Sequence, residues 1–142
     1  MLTQRSRYAI RALLVLAKTP PGLPVPLRVI AEEARVPRKF LEIILTEMKR
    51  AGFIETTRGK SGGYRLARAP HLISFGEIIR VIEGPLALVP CVSRTAYRSC
   101  ADCVDEATCA IRKAMMVVRD DTARILDGTS LAAAASDQLA AA

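Results

Sequence analysis

The chain has 142 residues, 51% of them hydrophobic and 25% charged, which allows one packed domain with an appendage. It contains no run of eighteen apolar residues and no uninterrupted hydrophobic stretch before a small-residue cleavage site, so we expect neither a membrane span nor a secretory leader, and a cytoplasmic location. The net charge of +7 is uneven: residues 1–71 hold 14 Lys and Arg against 5 Asp and Glu, whereas residues 72–142 hold 7 against 9, and a basic half of this kind points to a nucleic-acid backbone.

In chain order, Thr3 to Lys18 places Ile10, Leu13, Leu14 and Ala17 on one face and Arg5, Arg7 and Arg11 around its start, which predicts a first helix packed under the next two. Residues 19–24 form a proline-rich loop, and Pro26 opens a second helix over Leu27 to Ala34. Arg35 and Val36 break it. Pro37 restarts a helix at the position where a missing N–H costs nothing. Pro37, Phe40, Leu41, Ile44, Leu45 and Met48 then recur at three- and four-residue steps, an apolar stripe that runs to Gly52. The opposite face carries Arg38, Lys39, Glu42, Lys49 and Arg50.

Residues 53–57 and 64–66 alternate as two short strands around Arg58-Gly59-Lys60-Ser61-Gly62-Gly63. A turn that needs positive φ explains the glycines, and contact with an anion explains cations at its tip. Helix pair, hairpin and basic tip, in that order, predict a winged helix-turn-helix that reads double-stranded DNA. The expected DNA-binding residues are Arg38, Lys39, Glu42, Arg58, Lys60, Ser61 and Tyr64.

Residues 69–73 connect to a further helix whose Ser74 and Glu77 have the spacing of a capping box, with Phe75, Ile78, Ile79 and Ile82 on its buried face and Gly84-Pro85 at its end. His71, the single histidine, is assigned no role. No periodicity runs from Leu86 to about Val104. A long helix is then predicted from Asp105 to Asp127, with Ile111, Met115, Val118, Thr122 and Ile125 spaced as a coiled-coil seam through which two copies pair. Ser130 to Ala135 adds a terminal turn, and the tail to Ala142 frays. The fold expected is mainly α with a small β-hairpin. It divides into a DNA-binding domain (1–84), a cysteine-containing sensor loop (85–104) and a dimerisation helix with tail (105–142).

Cys91, Cys100, Cys103 and Cys109 all fall within nineteen residues and point to a metal or redox site. Thiolates suit zinc, an iron-sulfur cluster or a metal-free thiol switch, for which Cys100 and Cys103 are the nearest pair. Arg94, Arg98 and Arg112 lie close in sequence and are expected to favour thiolates. A thiol oxidoreductase built on Cys100 and Cys103 lacks the strand–helix alternation and the histidine–carboxylate set such an enzyme needs.

Taken together, Arg7-Tyr8-Ala9-Ile10, Val25-Pro26-Leu27, Phe40-Leu41-Glu42, the wing motif Arg58-Gly59-Lys60-Ser61-Gly62-Gly63-Tyr64-Arg65-Leu66 and the clustered cysteines resemble the Rrf family of winged-helix transcriptional regulators over nearly the whole chain. The resemblance implies a homodimer that binds a pseudo-palindromic operator and senses redox, iron or sulfur status, with an iron-sulfur cluster of the 2Fe-2S or 4Fe-4S type, or zinc, or no metal. It also implies that Glu42 and Arg58 match positions that read DNA, while Lys39 and Ile43 replace polar contact residues, so the operator differs. Cluster-binding relatives use three cysteines. Cys91 matches the first and Cys109 the third, and Cys103 suits the second, which leaves Cys100 as an additional thiol. Tyr8 and Ala12 stand where relatives place an N-terminal ligand from the partner subunit. Either Cys100 completes an all-thiolate set or the fourth position is open.

Overall fold

The computed structural model describes residues 2–137, and the expected fraying of residues 138–142 lies outside them. It comprises α1 (Gln4–Lys18), α2 (Leu27–Ala34), α3 (Arg38–Arg50), β1 (Ile54–Thr57), β2 (Gly63–Leu66), α4 (Phe75–Glu83), α5 (Ala110–Asp127) and α6 (Leu131–Ala135), with single 3-10 turns at Pro70–Leu72 and Pro90–Val92. The fold is mainly helical with one antiparallel hairpin, as expected, and Ile54 pairs with Leu66 and Thr57 with Gly63.

The first helix is more central than its amphipathic pattern suggests. Ala9, Ala12 and Leu13 are wholly buried, and α1 packs against α2, α3, α4, α6 and β2. Small alanines let these neighbours approach, and the large side chains then close the core: Leu13, Ile30, Leu41, Leu45 and Met48 are fully buried, each worth roughly 1.5–3 kcal/mol. Leu14 and Ala17 only border it.

Phe40 departs from the expected stripe. Leu41, Ile44, Leu45 and Met48 are buried, but Phe40 is 52% exposed because it sits about a quarter-turn from their centre. Pro37 caps α3 rather than opening it, and α2 ends at Arg35 in the left-handed region with φ 54°.

The wing is held at its root. Val25 pairs with Tyr64 through two backbone hydrogen bonds of 2.8 Å, so β2 lies between β1 and the residue that precedes α2. A Cβ at Gly63 would run into the Val25 carbonyl and stand 2.8 Å from Pro26 N, and φ there is +156°.

The long helix starts at Ala110 instead of Asp105. Asp105 turns the chain instead, accepting from Ala107 N at 3.1 Å and Thr108 Oγ1 at 2.9 Å, and Cys109 is the N-cap, its sulfur accepting from Arg112 N at 3.4 Å. At the other end the chain returns to the body. Phe75 N donates to Thr129 O and Leu131 N to Ile73 O, both at 2.9 Å, and Leu131 is fully buried in the main core. Arg80 and Asp127 add a two-pronged ion pair at 2.6 and 2.9 Å between α4 and α5. No helix among the described residues is long and apolar enough to cross a membrane.

Candidate functional site

Helix α3 buries Leu41, Ile44, Leu45 and Met48 and exposes Arg38, Lys39, Glu42, Ile43 and Thr46 on the opposite side. The turn from Arg58 to Ser61 is exposed throughout. Lys49 Nζ donates to Thr56 Oγ1 at 3.0 Å and ties the end of α3 to the wing, and Arg65 pairs with its cross-strand partner Glu55 at 3.1 Å. Among the described residues Arg38, Lys39, Arg58 and Lys60 have no carboxylate partner, whereas Arg5, Arg28, Arg65 and Arg68 do. Four cations left free on a helix and a hairpin tip suit a polyanion. Tyr64 differs from the rest of the expected DNA-binding set: it is half-buried, packs on the core and holds the wing through its backbone.

The four cysteines come together. They line one cavity of about 320 Å³ with Asp102, Asp105, Glu106 and Arg112. The route is local: the 3-10 turn at Pro90 carries Cys91 inward, and Arg98 N donates back to Pro90 O at 3.3 Å, which returns the chain so that Cys100 Sγ lies 4.0 Å from Cys91 Sγ. Cys103 follows in a tight turn, its N–H donating to Cys100 O at 3.2 Å. Cys91 is buried, Cys100 and Cys109 are half-buried, and Cys103 is exposed. The nearest pair in space is therefore Cys91 and Cys100, although Cys100 and Cys103 are nearest in sequence. Among the described residues no three His, Cys, Asp or Glu side chains converge tightly enough for a single metal ion.

The expected electrostatic help from arginines is largely absent. Arg94 is taken up by Asp120 at 3.0 Å, and Arg112 faces Glu106 at 3.6 Å. The Cys91 sulfur, then burial, then Asp102 push the Cys100 thiol above its ordinary value. Desolvation against the cavity wall, followed by Glu106, raises Cys103 as well. Glu106 itself accepts from Tyr97 OH and lies 3.4 Å from Ser99 Oγ.

Sequence reasoning missed the strut between this loop and α5. Arg119, with a side chain only 14% exposed, donates from Nη1 to Val92 O at 2.8 Å and from Nε to Asp120 Oδ1 at 2.8 Å, and Asp120 also takes Arg94. Hydrogen bonding by Arg119 holds the Asp120 carboxyl below its ordinary range. An Arg-Asp pair within a helical run carries no signal of what it holds. Ala12, one of the positions where relatives place an N-terminal ligand, is fully buried, and Tyr8 is half-buried with Arg11 over its ring.

The family model described as "Iron-dependent Transcriptional regulator", Rrf2, matches residues 2–137. An HTH-type, rrf2-like regulator of Rhodobacter capsulatus is 42% identical over 146 residues, covering 99% of this chain and 93% of that protein. The solved structure of CymR, the global cysteine regulator of Bacillus subtilis, superposes with a TM-score of 0.79 at 30% identity, covering 96% of this chain and 97% of that one. T. potens IscR gives 0.76 at 26% identity, covering 100% and 93%. With the wing, the helix pair and nearly the full length in common, this chain belongs to the Rrf2 family of transcriptional regulators.

Proposed function

We propose that the chain acts as a homodimeric transcription factor that grips a pseudo-palindromic operator through α3 and the wing, and whose hold is set by an iron-sulfur cluster at the cysteine cavity. The observation that carries this reading is the gathering of Cys91, Cys100, Cys103 and Cys109 on one cavity. A tetrahedral zinc site needs its sulfurs about 3.8 Å apart, as follows from a Zn–S bond of about 2.3 Å. Only Cys91 and Cys100 come near that separation. A cluster spreads its thiolates over several irons, so a cavity lined by four soft donors without three-fold convergence suits it better. A buried Arg112 Nε with no hydrogen-bond partner lines the same cavity, as a net negative sulfur-rich group would require. When bound, such a cluster supplies a group that is assembled, oxidised or lost with iron and redox status.

The chain's own residues do the rest. Arg38, Lys39, Arg58, Lys60 and Ser61 meet phosphates and base edges, Glu42 sits where it can accept from a cytosine amino group, and Tyr64 fixes the wing. Arg119 holds the carbonyl beside Cys91 to α5, so rearrangement of the loop reaches that helix. Two copies pair through α5, whose Ile111, Val118 and Ile125 are 67%, 39% and 56% exposed in the single chain. The 4.0 Å approach of Cys91 and Cys100 favours, as a second reading, a metal-free thiol switch on that pair.

Anaerobic purification followed by an absorption spectrum, iron and sulfide analysis, and gel-shift assays on DNA upstream of the regulated genes tests the proposal. Visible bands, bound iron and sulfide, and a DNA affinity that changes when the cluster is removed are expected. Colourless zinc-loaded protein, or metal-free protein whose affinity follows thiol oxidation, overturns the cluster assignment. Salt-independent DNA binding overturns the grip through α3 and the wing.

A further inference from the structure

We propose that Arg112 is the positioning residue that donates a hydrogen bond to the sulfur-rich anionic group of the cysteine cavity, an inference that rests on the reading of that cavity as an iron-sulfur site. Arg112 Nε is buried and has no hydrogen-bond partner, the one such side-chain atom among the described residues. A buried N–H without an acceptor costs free energy, so it marks a place where an acceptor belongs.

The neighbours do not supply that acceptor. Glu106 Oε2 lies 3.6 Å from Nε, beyond hydrogen-bond range, and Glu106 is engaged by Tyr97. Arg112 Nη1 reaches the Met116 thioether at 3.5 Å, a weak acceptor. The residue is already placed over one thiol, because its backbone N–H donates to Cys109 Sγ at 3.4 Å.

Charge points the same way. Among the residues lining the cavity Arg112 is the one cation, facing Asp102, Asp105, Glu106 and four potential thiolates. A cluster held by thiolates has a net negative charge, and each carboxylate nearby makes that charge harder to keep. A guanidinium at the N-terminal turn of α5 is what balances it. Hydrogen bonds to cluster sulfurs and nearby positive charge both raise a cluster's reduction potential, so loss of Arg112 should lower it.

Full-length wild type, Arg112→Gln and Arg112→Lys are reconstituted anaerobically with iron and sulfide, titrated for reduction potential and timed for iron loss; the apo proteins are melted in parallel. Arg112→Gln should have a lower potential and lose iron several-fold faster, Arg112→Lys should fall between, and apo Arg112→Gln should melt no lower than apo wild type because Nε has no partner to lose. Equal potentials and equal iron loss in wild type and Arg112→Gln overturn the inference while leaving the cluster reading intact. So does a lowered apo melting temperature with an unchanged potential, which assigns Arg112 to the fold. A wild-type chain that takes up neither iron nor sulfide overturns the cluster reading first, and the inference with it.

Discussion

At the scale of single residues, Gly63 decides whether the wing stands. The backbone of Val25 and Pro26 occupies the space a side chain would need there, and the Val25–Tyr64 pair that anchors the wing runs through that approach. Gly63→Ala should therefore cost about 2 kcal/mol in urea unfolding and weaken operator binding as well, because the Arg58–Ser61 turn loses its root. Both losses are expected together, and a variant with wild-type stability and DNA affinity contradicts the anchoring role. The glycine-rich motif itself was legible, since Gly59 does take φ +103° in the turn. What Gly62 and Gly63 must avoid, the carbonyls of Thr57 and Val25, was not, because those atoms are brought in by pairing elsewhere. Phe40 illustrates the same gap: three- and four-residue spacing admits it to a stripe from which its angle excludes it.

Between elements, the start of α1 is locked to the end of α4. Glu83 Oε1 accepts from Thr3 N at 2.8 Å, from Thr3 Oγ1 at 2.6 Å and from the buried Ser6 hydroxyl, while Thr3 caps α1. Ser6 and then Thr3 draw the Glu83 carboxyl down to about 2 from an ordinary 4.5. The folded state thus binds this proton less readily than the unfolded one, so the stabilisation is fully present above pH 4.5 and is lost as pH falls towards 2. Thermal melts from pH 5 to 2 should show a steeper acid loss for wild type than for Glu83→Gln, which should also melt lower at neutral pH; identical pH profiles would contradict the linkage. The capping box at Ser74 and Glu77 was legible and is present with both hydrogen bonds at 3.1 Å. The start of α5 was misread because Asp105 bonds to its own neighbours and so delays the helix to Ala110.

Across the whole molecule, α5 is the element without a home: none of its residues is buried, and Ile111, Val117 and Ile125 are mostly exposed. Replacing Val118 and Ile125 together with Glu should give a folded monomer, because the core around α1 does not use them, with operator affinity reduced at least tenfold. Sedimentation, circular dichroism and gel shifts check the three parts of that outcome, and a charged variant that still sediments as a dimer removes α5 from the interface. The seam was visible as periodicity, and the thiol site as four cysteines in nineteen residues. The pairing of Cys91 with Cys100 and the Arg119 strut required three dimensions. That strut has a geometric corollary. α5 is about 27 Å long at about 1.5 Å per residue. It is clamped at its foot by the Phe75–Thr129 and Arg80–Asp127 bonds and propped part-way along by the carbonyl next to Cys91. A beam on two supports pivots when one support yields, and a pivot of about 5° carries its free end through roughly 2 Å on that length.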